Sequence, residues 1–242
     1  MGLLHYDFDW SVLWREPYGW MLLKGIYTTI HLSLFAWLIA MLIGLIVAVS
    51  RVLPLRTTRL AGFVYVQVFR NTPLLVQLFF WYFAAPLFLP KSAQQWLYRT
   101  IPNYAYFAGV VGLGLYTASR LAEQFRSGFL AVPEGLHHAA RSTGLSTFQT
   151  FRFVIIPFAF RIIIPPFAAE FLTCFKNSAL TMTIGVMETT HTAYYIDSFT
   201  WHGLETTTAA SLVYLTIAMA ITFSMAALEK RIQIPGMIAR NR

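Results

Sequence analysis

The chain alternates long apolar runs with short polar stretches, and the length of the runs separates the possible folds. The clearest run is IYTTIHLSLFAWLIAMLIGLIVAV, residues 26–49, which carries no fixed charge. A second lies within residues 63–89 and is interrupted near its start by Arg70, Asn71, Thr72 and Pro73. A third extends from Tyr104 to Leu121, a fourth from Phe153 to Phe175 through Pro157, Pro165 and Pro166, and a fifth from Thr206 to Leu228. Spanning a hydrocarbon core about 30 Å thick takes about 20 apolar residues at about 1.5 Å per helical residue. Barrel strands would instead alternate apolar and polar residues over about 10 positions, and these runs do not. The pattern therefore predicts an all-α polytopic membrane protein with five transmembrane helices.

Composition agrees: 57% of residues are hydrophobic and 12% charged, and the mean hydropathy is +0.58, outside the range of soluble domains. Residues 1–20 contain Asp7, Asp9, Arg15 and Glu16 rather than a basic start and a short apolar core, so they predict an external segment with no cleavable signal. Residues 21–228 then form the membrane domain, and residues 229–242 a cytoplasmic tail. Cys174 is the single cysteine, which excludes an intrachain disulfide and a cysteine metal cluster and suits a small buried filler.

Charge sets the orientation, because Lys and Arg beside spans are retained in the cytoplasm. The connection after the first run holds Arg51, Arg56 and Arg59, and the one after the third holds Arg126, Arg141 and Arg152. The C-terminal residues add Lys230, Arg231, Arg240 and Arg242, whereas the 177–205 connection leans acidic with Glu188, Asp197 and Glu205. An external N-terminus and a cytoplasmic C-terminus follow, with Lys91 and Arg99 as the dissenting charges. The net charge of +8 tracks this topology, which argues against a nucleic-acid surface.

The polar stretch HHAARSTGLSTFQTFRFVIIP, residues 137–157, thus falls on the cytoplasmic side. Leu136, Ala139, Ala140, Thr143 and Gly144 recur at helical spacings that gather small or apolar groups. Gly144 suits a helix stop, since glycine enters the left-handed conformation without steric penalty. Ser146 to Gln149 then has the spacing of a capping box that restarts a helix. Physics alone leaves this stretch either an interfacial amphipathic helix or a docking element.

The stretch resembles the cytoplasmic signature of inner-membrane permeases of ATP-binding cassette importers: Glu-Ala-Ala, three residues, Gly, nine residues, then Ile-x-Leu-Pro. Ala139, Ala140, Gly144, Val154, Ile156 and Pro157 occupy the matching places, and His138 stands where that family has its glutamate. VQVFRNTPLLVQLFFWY (66–82) and KNSALTMTIGV (176–186) resemble the polar amino acid branch. LYTASRLAEQFRSGFLAVPEG (115–135) and LEKRIQIPG (228–236) are most similar to permeases for glutamate and aspartate. The resemblance implies a type I importer permease fold with a coupling region at 134–157, in which His138, Ala139, Ala140, Gly144 and Pro157 serve coupling to the ATPase. It further implies a dimer of ATP-binding subunits, a second permease subunit identical or homologous, an external solute-binding protein, and a bacterial inner-membrane location.

Ionised groups within a span cost about 2.5–3.5 kcal/mol on insertion scales, so each needs a partner or a wet path. Arg120 ends the third run, where the acidic amino acid branch has arginine; it either forks onto a substrate carboxylate or snorkels to the headgroups. Glu170, mid-span in PPFAAEFLTCF, either accepts a substrate ammonium or pairs with an arginine. Arg70 precedes the Asn71-Thr72-Pro73 interruption and is either a third cavity residue or an interfacial charge beside a kink. These three are the substrate-binding candidates. His31, His191 and His202 lack metal-site spacing and are read as hydrogen-bonded, with no metal expected.

No phosphate-binding Gly-x4-Gly-Lys-Ser/Thr loop occurs, so no cofactor is expected and ATP belongs to the partner subunit. No nucleophile and base motif points to an enzyme. Glutamate or aspartate is the expected cargo; glutamine, arginine, histidine or cystine are alternatives, as is an ion-coupled secondary transporter. The last would show paired repeats with broken helices, which are not evident.

Overall fold

A computed structural model describes residues 6–53 and 55–232 of the chain. The described residues are helical in order: α1 (Tyr18–Val52), α2 (Arg56–Asn71), α3 (Leu74–Phe79), α4 (Lys91–Thr100), α5 (Tyr104–Leu130), α6 (Glu134–Ser142), α7 (Thr147–Thr150), α8 (Ile156–Asn177), α9 (Thr189–Thr200) and α10 (Gly203–Ile232). The tail residues 233–242, including part of the LEKRIQIPG stretch, Arg240 and Arg242, lie outside the described residues.

Three helical stretches among these residues are both long and apolar enough to cross a membrane: Tyr18–Val52, Phe148–Ile184 and Gly203–Arg231. The other two expected spans each miss one condition. The second divides at Thr72, whose extended backbone (φ −96°, ψ 131°) ends α2 before Pro73 and leaves Leu74–Phe88 as a shorter apolar stretch. That is the conformation a residue preceding proline prefers. The third, α5, is 27 residues long and continues past Leu121 to Leu130, but Arg120, Glu123 and Arg126 lower its apolarity. Lys91 and Arg99, the dissenting charges of the topology, sit on the short helix α4.

Proline is accommodated twice in the same way. A π-turn at Phe80–Ala84 precedes Pro86, and a π-turn at Phe151–Ile155 precedes Pro157. Proline cannot donate to the carbonyl four residues back and its ring presses on it, and one extra residue in the preceding turn relieves that clash. The second π-turn carries the helix past Pro157, and the fourth run stays helical from Thr147 to Asn177 with Pro165 and Pro166 inside α8.

The chain forms two compact units, each assembled from separated segments. One gathers α1 up to Ala36, Pro73–Gly114 and Cys174–Met219. Its buried side chains include Leu32, Leu78, Leu113, Phe175 and Ile196, and Cys174 is fully buried among its residues. Its acidic connection is ordered: Glu188 caps α9, accepting from the Thr190 amide at 2.9 Å and the His191 amide at 2.8 Å, and also from the Tyr214 hydroxyl at 2.6 Å. Thr29 and Thr189 hydroxyls meet beside it at 2.8 Å. Burial pushes the Glu188 carboxyl above its ordinary value, against the pull of those donors.

The other unit gathers Trp37–Thr72, Leu115–Thr173 and α10 from Ala220 onward. Its core is Ala40, Ala48, Ala118, Leu121, Phe125, Ile155, Ala159, Ile163 and Phe167. Small residues recur every four positions on α1 at Ala40, Gly44 and Ala48, and on α5 at Ala118 and Ala122. In lipid such spacing lets two backbones approach. A Cβ on Gly44 would lie 3.1 Å from the Ala118 carbonyl oxygen and 3.0 Å from Leu121 Cβ, so glycine sets the distance of closest approach.

Candidate functional site

Within this second unit, α2, α5 and α8 enclose a cleft of about 360 Å³. The three substrate candidates from the sequence all line it: Arg70 from the end of α2, Arg120 from α5 and Glu170 from α8. Arg120 Nε donates to Glu170 Oε1 at 2.5 Å. Gln124 Nε2 donates to the second carboxylate oxygen at 3.3 Å. The pair is lopsided in its surroundings: the Glu170 side chain is 5% exposed and that of Arg120 38%. The carboxylate is therefore held in a dry wall, while the guanidinium faces the cleft with N–H donors beyond the one that Glu170 takes.

Arg70 is exposed, and its guanidinium makes no ion pair among the described residues. Pro166 and Ile162 also line the cleft, and they are linked. Pro166 lies inside α8 and has no N–H, so the Ile162 carbonyl loses its intrahelical donor and adds an acceptor to this region of the helix.

Among the cleft residues that the sequence reading did not single out, Gln124 and Glu123 carry the polar contacts. Gln124 is one helical turn beyond Arg120, and its Oε1 is buried with no hydrogen-bond partner among the described residues. Glu123 bridges Arg51 and Arg126. Spacing from Arg120 puts both on neighbouring faces of one helix, a signal that was present in QFR and its preceding turn.

The coupling candidates lie together in the same unit but do not share one surface. α6 covers His138, Ala139 and Ala140; His138 and Ala139 are exposed, whereas Ala140 is buried at 6%. Leu136 packs on the core, so the small face expected from helical spacing divides, with Leu136 and Ala140 turned inward. From His138 to Gly144 the outward residues are His138, Ala139, Arg141, Ser142, Thr143 and Gly144. His138 lines a pocket of about 220 Å³ with His137, Arg141, Thr150 and Phe151.

Gly144 stands at φ +82°, with nothing within 4 Å of where a Cβ would be. Conformation rather than crowding calls for glycine there. The capping box forms as the spacing predicts: the Ser146 amide donates to Gln149 Oε1 at 2.9 Å and the Gln149 amide to Ser146 Oγ at 3.3 Å. Pro157 is the second residue of α8.

The histidines divide. His31 Nδ1 lies 2.6 Å from the Tyr106 hydroxyl, and His202 Nδ1 lies 3.3 Å from Glu205 Oε1. His191 Nδ1 and His202 Nδ1 are both buried without a hydrogen-bond partner among the described residues, the Glu205 approach to His202 being a close charge contact without hydrogen-bond geometry, and both depart from the expected hydrogen-bonded state; at His191 the Glu188 cap engages the backbone amide rather than the ring. No three His, Cys, Asp or Glu residues gather as a metal site among the described residues.

Residues 40–234 match the family described as binding-protein-dependent transport system inner membrane component. The chain belongs to that family. This permease is 36% identical over 239 residues to the glutamate/aspartate import permease protein GltJ of Escherichia coli K12, covering 95% of this chain and 97% of that one. It is 29% identical over 228 residues to the glutamine transport system permease protein GlnP of the same strain, covering 94% and 99%. In structure it is similar to a crystal structure of an amino acid ABC transporter with histidines, at a TM-score of 0.81 and 29% identity, over 93% of this chain and all of that one. The MetNI methionine ABC transporter, at 19% identity and a TM-score of 0.70, shares the fold. The permease is thus a multi-pass inner-membrane component of an ABC importer and not an enzyme, with ATP hydrolysis in a separate subunit.

Proposed function

We propose that this permease imports an acidic amino acid, glutamate or aspartate, through the cleft bounded by α2, α5 and α8. The observation that carries the reading is the Arg120–Glu170 pair set among Arg70 and Gln124. A dicarboxylic amino acid has two carboxylates and one ammonium. Arg70 can take one carboxylate without breaking an ion pair, and Arg120 can turn its remaining donors onto the other. Glu170 then faces the ammonium. An acidic substrate thus replaces part of an existing charge pairing rather than entering an uncompensated field, which keeps the cost of desolvation low. The relative GltJ, named for glutamate and aspartate, supports the same class.

An external solute-binding protein delivers the amino acid, and two permease subunits, identical or homologous, line the path between them. Two ATP-binding subunits act on exposed His138 and Ala139 of α6 and on Gly144 just beyond it, while buried Ala140 sets the helix against the core and exposed Pro157 stands in the first turn of α8. ATP closure then moves the unit as a rigid body between two access states. The basic connections support a cytoplasmic α6 and C-terminus with the N-terminus outside.

Glutamine is the second reading, favoured by the unpartnered Oε1 of Gln124, which can accept from a carboxamide, and by the relative GlnP. The test is uptake of labelled glutamate into proteoliposomes containing the permease, its ATPase and its binding protein, with unlabelled amino acids as competitors. ATP-dependent uptake competed by glutamate and aspartate supports the proposal. Competition by glutamine alone moves the assignment to the second reading, and uptake that persists without the ATPase overturns the importer mechanism.

A further inference from the structure

A second cleft in the same unit, of about 500 Å³, is unrelated to the substrate candidates. It is lined by Arg51 at the end of α1, Arg56, Arg59, Leu60 and Phe63 on α2, and Arg126 on α5. Four guanidinium groups meet there against one neighbouring carboxylate, Glu123, which is bonded to Arg51 and Arg126. Those two arginines are held in place, with side chains 12% and 31% exposed. Arg56 and Arg59 are exposed, and neither forms an ion pair among the described residues; Arg59 donates only to the Leu53 carbonyl, at 3.3 Å. Excess positive charge is therefore concentrated on a pair of side chains that no carboxylate among the described residues neutralises.

The order of residues along α2 says what anion fits. Arg56, Arg59, Leu60 and Phe63 follow the spacing of one helix face, charged at its start and apolar one to two turns on. Leu60 and Phe63 are exposed, at 61% and 47%. They lie about 6 Å and about 10 Å along the axis from Arg56, comparable with the step from a phosphate to the first acyl methylenes. The apolar run of α1 ends at Val49, two residues before Arg51, so the arginines stand at the level where hydrocarbon gives way to headgroups. A soluble phosphate would have no use for the apolar rail.

We propose that this cleft binds an anionic phospholipid, with Arg56 and Arg59 on its phosphate and Leu60 and Phe63 along the start of an acyl chain. Arg51 and Arg126, fixed by Glu123, form the back of the headgroup site. The lipid would fill the corner between α1, α2 and α5 in the unit that also carries α6, so its occupancy bears on the stability of that unit.

The experiment is native mass spectrometry of the purified full chain in detergent, titrated with phosphatidylglycerol or with phosphatidylcholine of the same chain length. Each basic residue near an anionic lipid surface contributes a factor of about 5 in binding. The variant R56Q/R59Q is therefore expected to lose about 25-fold in phosphatidylglycerol affinity, with phosphatidylcholine unchanged. R56K/R59K retains the charge and serves as the control that the surface remains folded; it is expected to bind within about 5-fold of the parent chain. F63A is expected to weaken phosphatidylglycerol while leaving any retention of inorganic phosphate unaltered. Equal retention of the two lipids, or no loss in R56Q/R59Q, overturns the proposal. Displacement of phosphatidylglycerol by millimolar inorganic phosphate assigns the cleft to a free anion and overturns it as well.

Discussion

Removing Arg120 is expected to cost more stability than removing Glu170, although the two residues form one ion pair. Deleting one partner of a buried pair costs about 3–5 kcal/mol when the remaining charge is left dry, and exposed pairs contribute about 0–1 kcal/mol. The Glu170 side chain is 5% exposed and Arg120 38%, so the two deletions leave very different survivors. Arg120→Ala strands a carboxylate whose remaining donor is Gln124 Nε2 at 3.3 Å. That places the loss near the lower end of the buried range, about 3 kcal/mol. Glu170→Ala strands a guanidinium that water in the cleft can reach, and about 1 kcal/mol is expected. The double variant strands neither charge and should lose about 1–2 kcal/mol rather than the sum. The assay is thermal or SDS-titrated unfolding of the purified permease, in which a chain of this length shifts by about 2–4 °C per kcal/mol. Equal single losses, or a double variant at least as unstable as Arg120→Ala, would refute a pair held in a dry wall.

Other consequences of the structure are open to measurement. Gly44→Leu should drive α1 and α5 apart at the Ala118 carbonyl, with an overpacking loss of about 1–3 kcal/mol in the same unfolding assay, whereas Leu42→Ala on the exposed side of α1 should change little. Gly144→Val forces a β-branched residue to φ +82°, straining the turn after α6 by about 1–3 kcal/mol; in proteoliposomes it should lower uptake per ATP hydrolysed, and an unchanged ratio would remove α6 from coupling. Glu188 has a folded-state pKa raised above its ordinary value of 4.5, so its folded form takes up a proton more readily than the unfolded chain. Its contribution to stability is therefore fully present below about pH 4.5 and lost as pH rises through the raised value. Comparing unfolding of the parent chain and Glu188→Gln across that interval should show the pH dependence shrink in the variant.

What could be read from the chain alone was whatever depends on neighbours in sequence. Run length and continuity specify lipid-embedded helices, since each residue advances a helix by a set rise and backbone groups in hydrocarbon must bond within their own segment. The Thr72-Pro73 break, the left-handed Gly144 and the Ser146–Gln149 capping box were legible for the same reason: each is a local backbone rule with a residue signature. The small-residue repeat at Ala40, Gly44 and Ala48 was equally present in the sequence, but its partner, Ala118 and Ala122, is more than 60 positions away and only packing identifies it.

Tertiary structure alone decided the rest. The sequence left Arg120 between snorkelling and cargo binding, and Glu170 between a structural pair and a substrate contact; the fold brings them to 2.5 Å across α5 and α8 in a cleft that also holds Arg70. It also divided the expected small face of the coupling helix, because Ala140 and Leu136 turn inward while His138 and Ala139 remain outside. Helical spacing states which residues share a face but not which face meets the core. That is set by the shapes and charges of segments distant in the chain, and it is those segments that bring an arginine and a glutamate together in one cleft rather than leaving two unrelated charges.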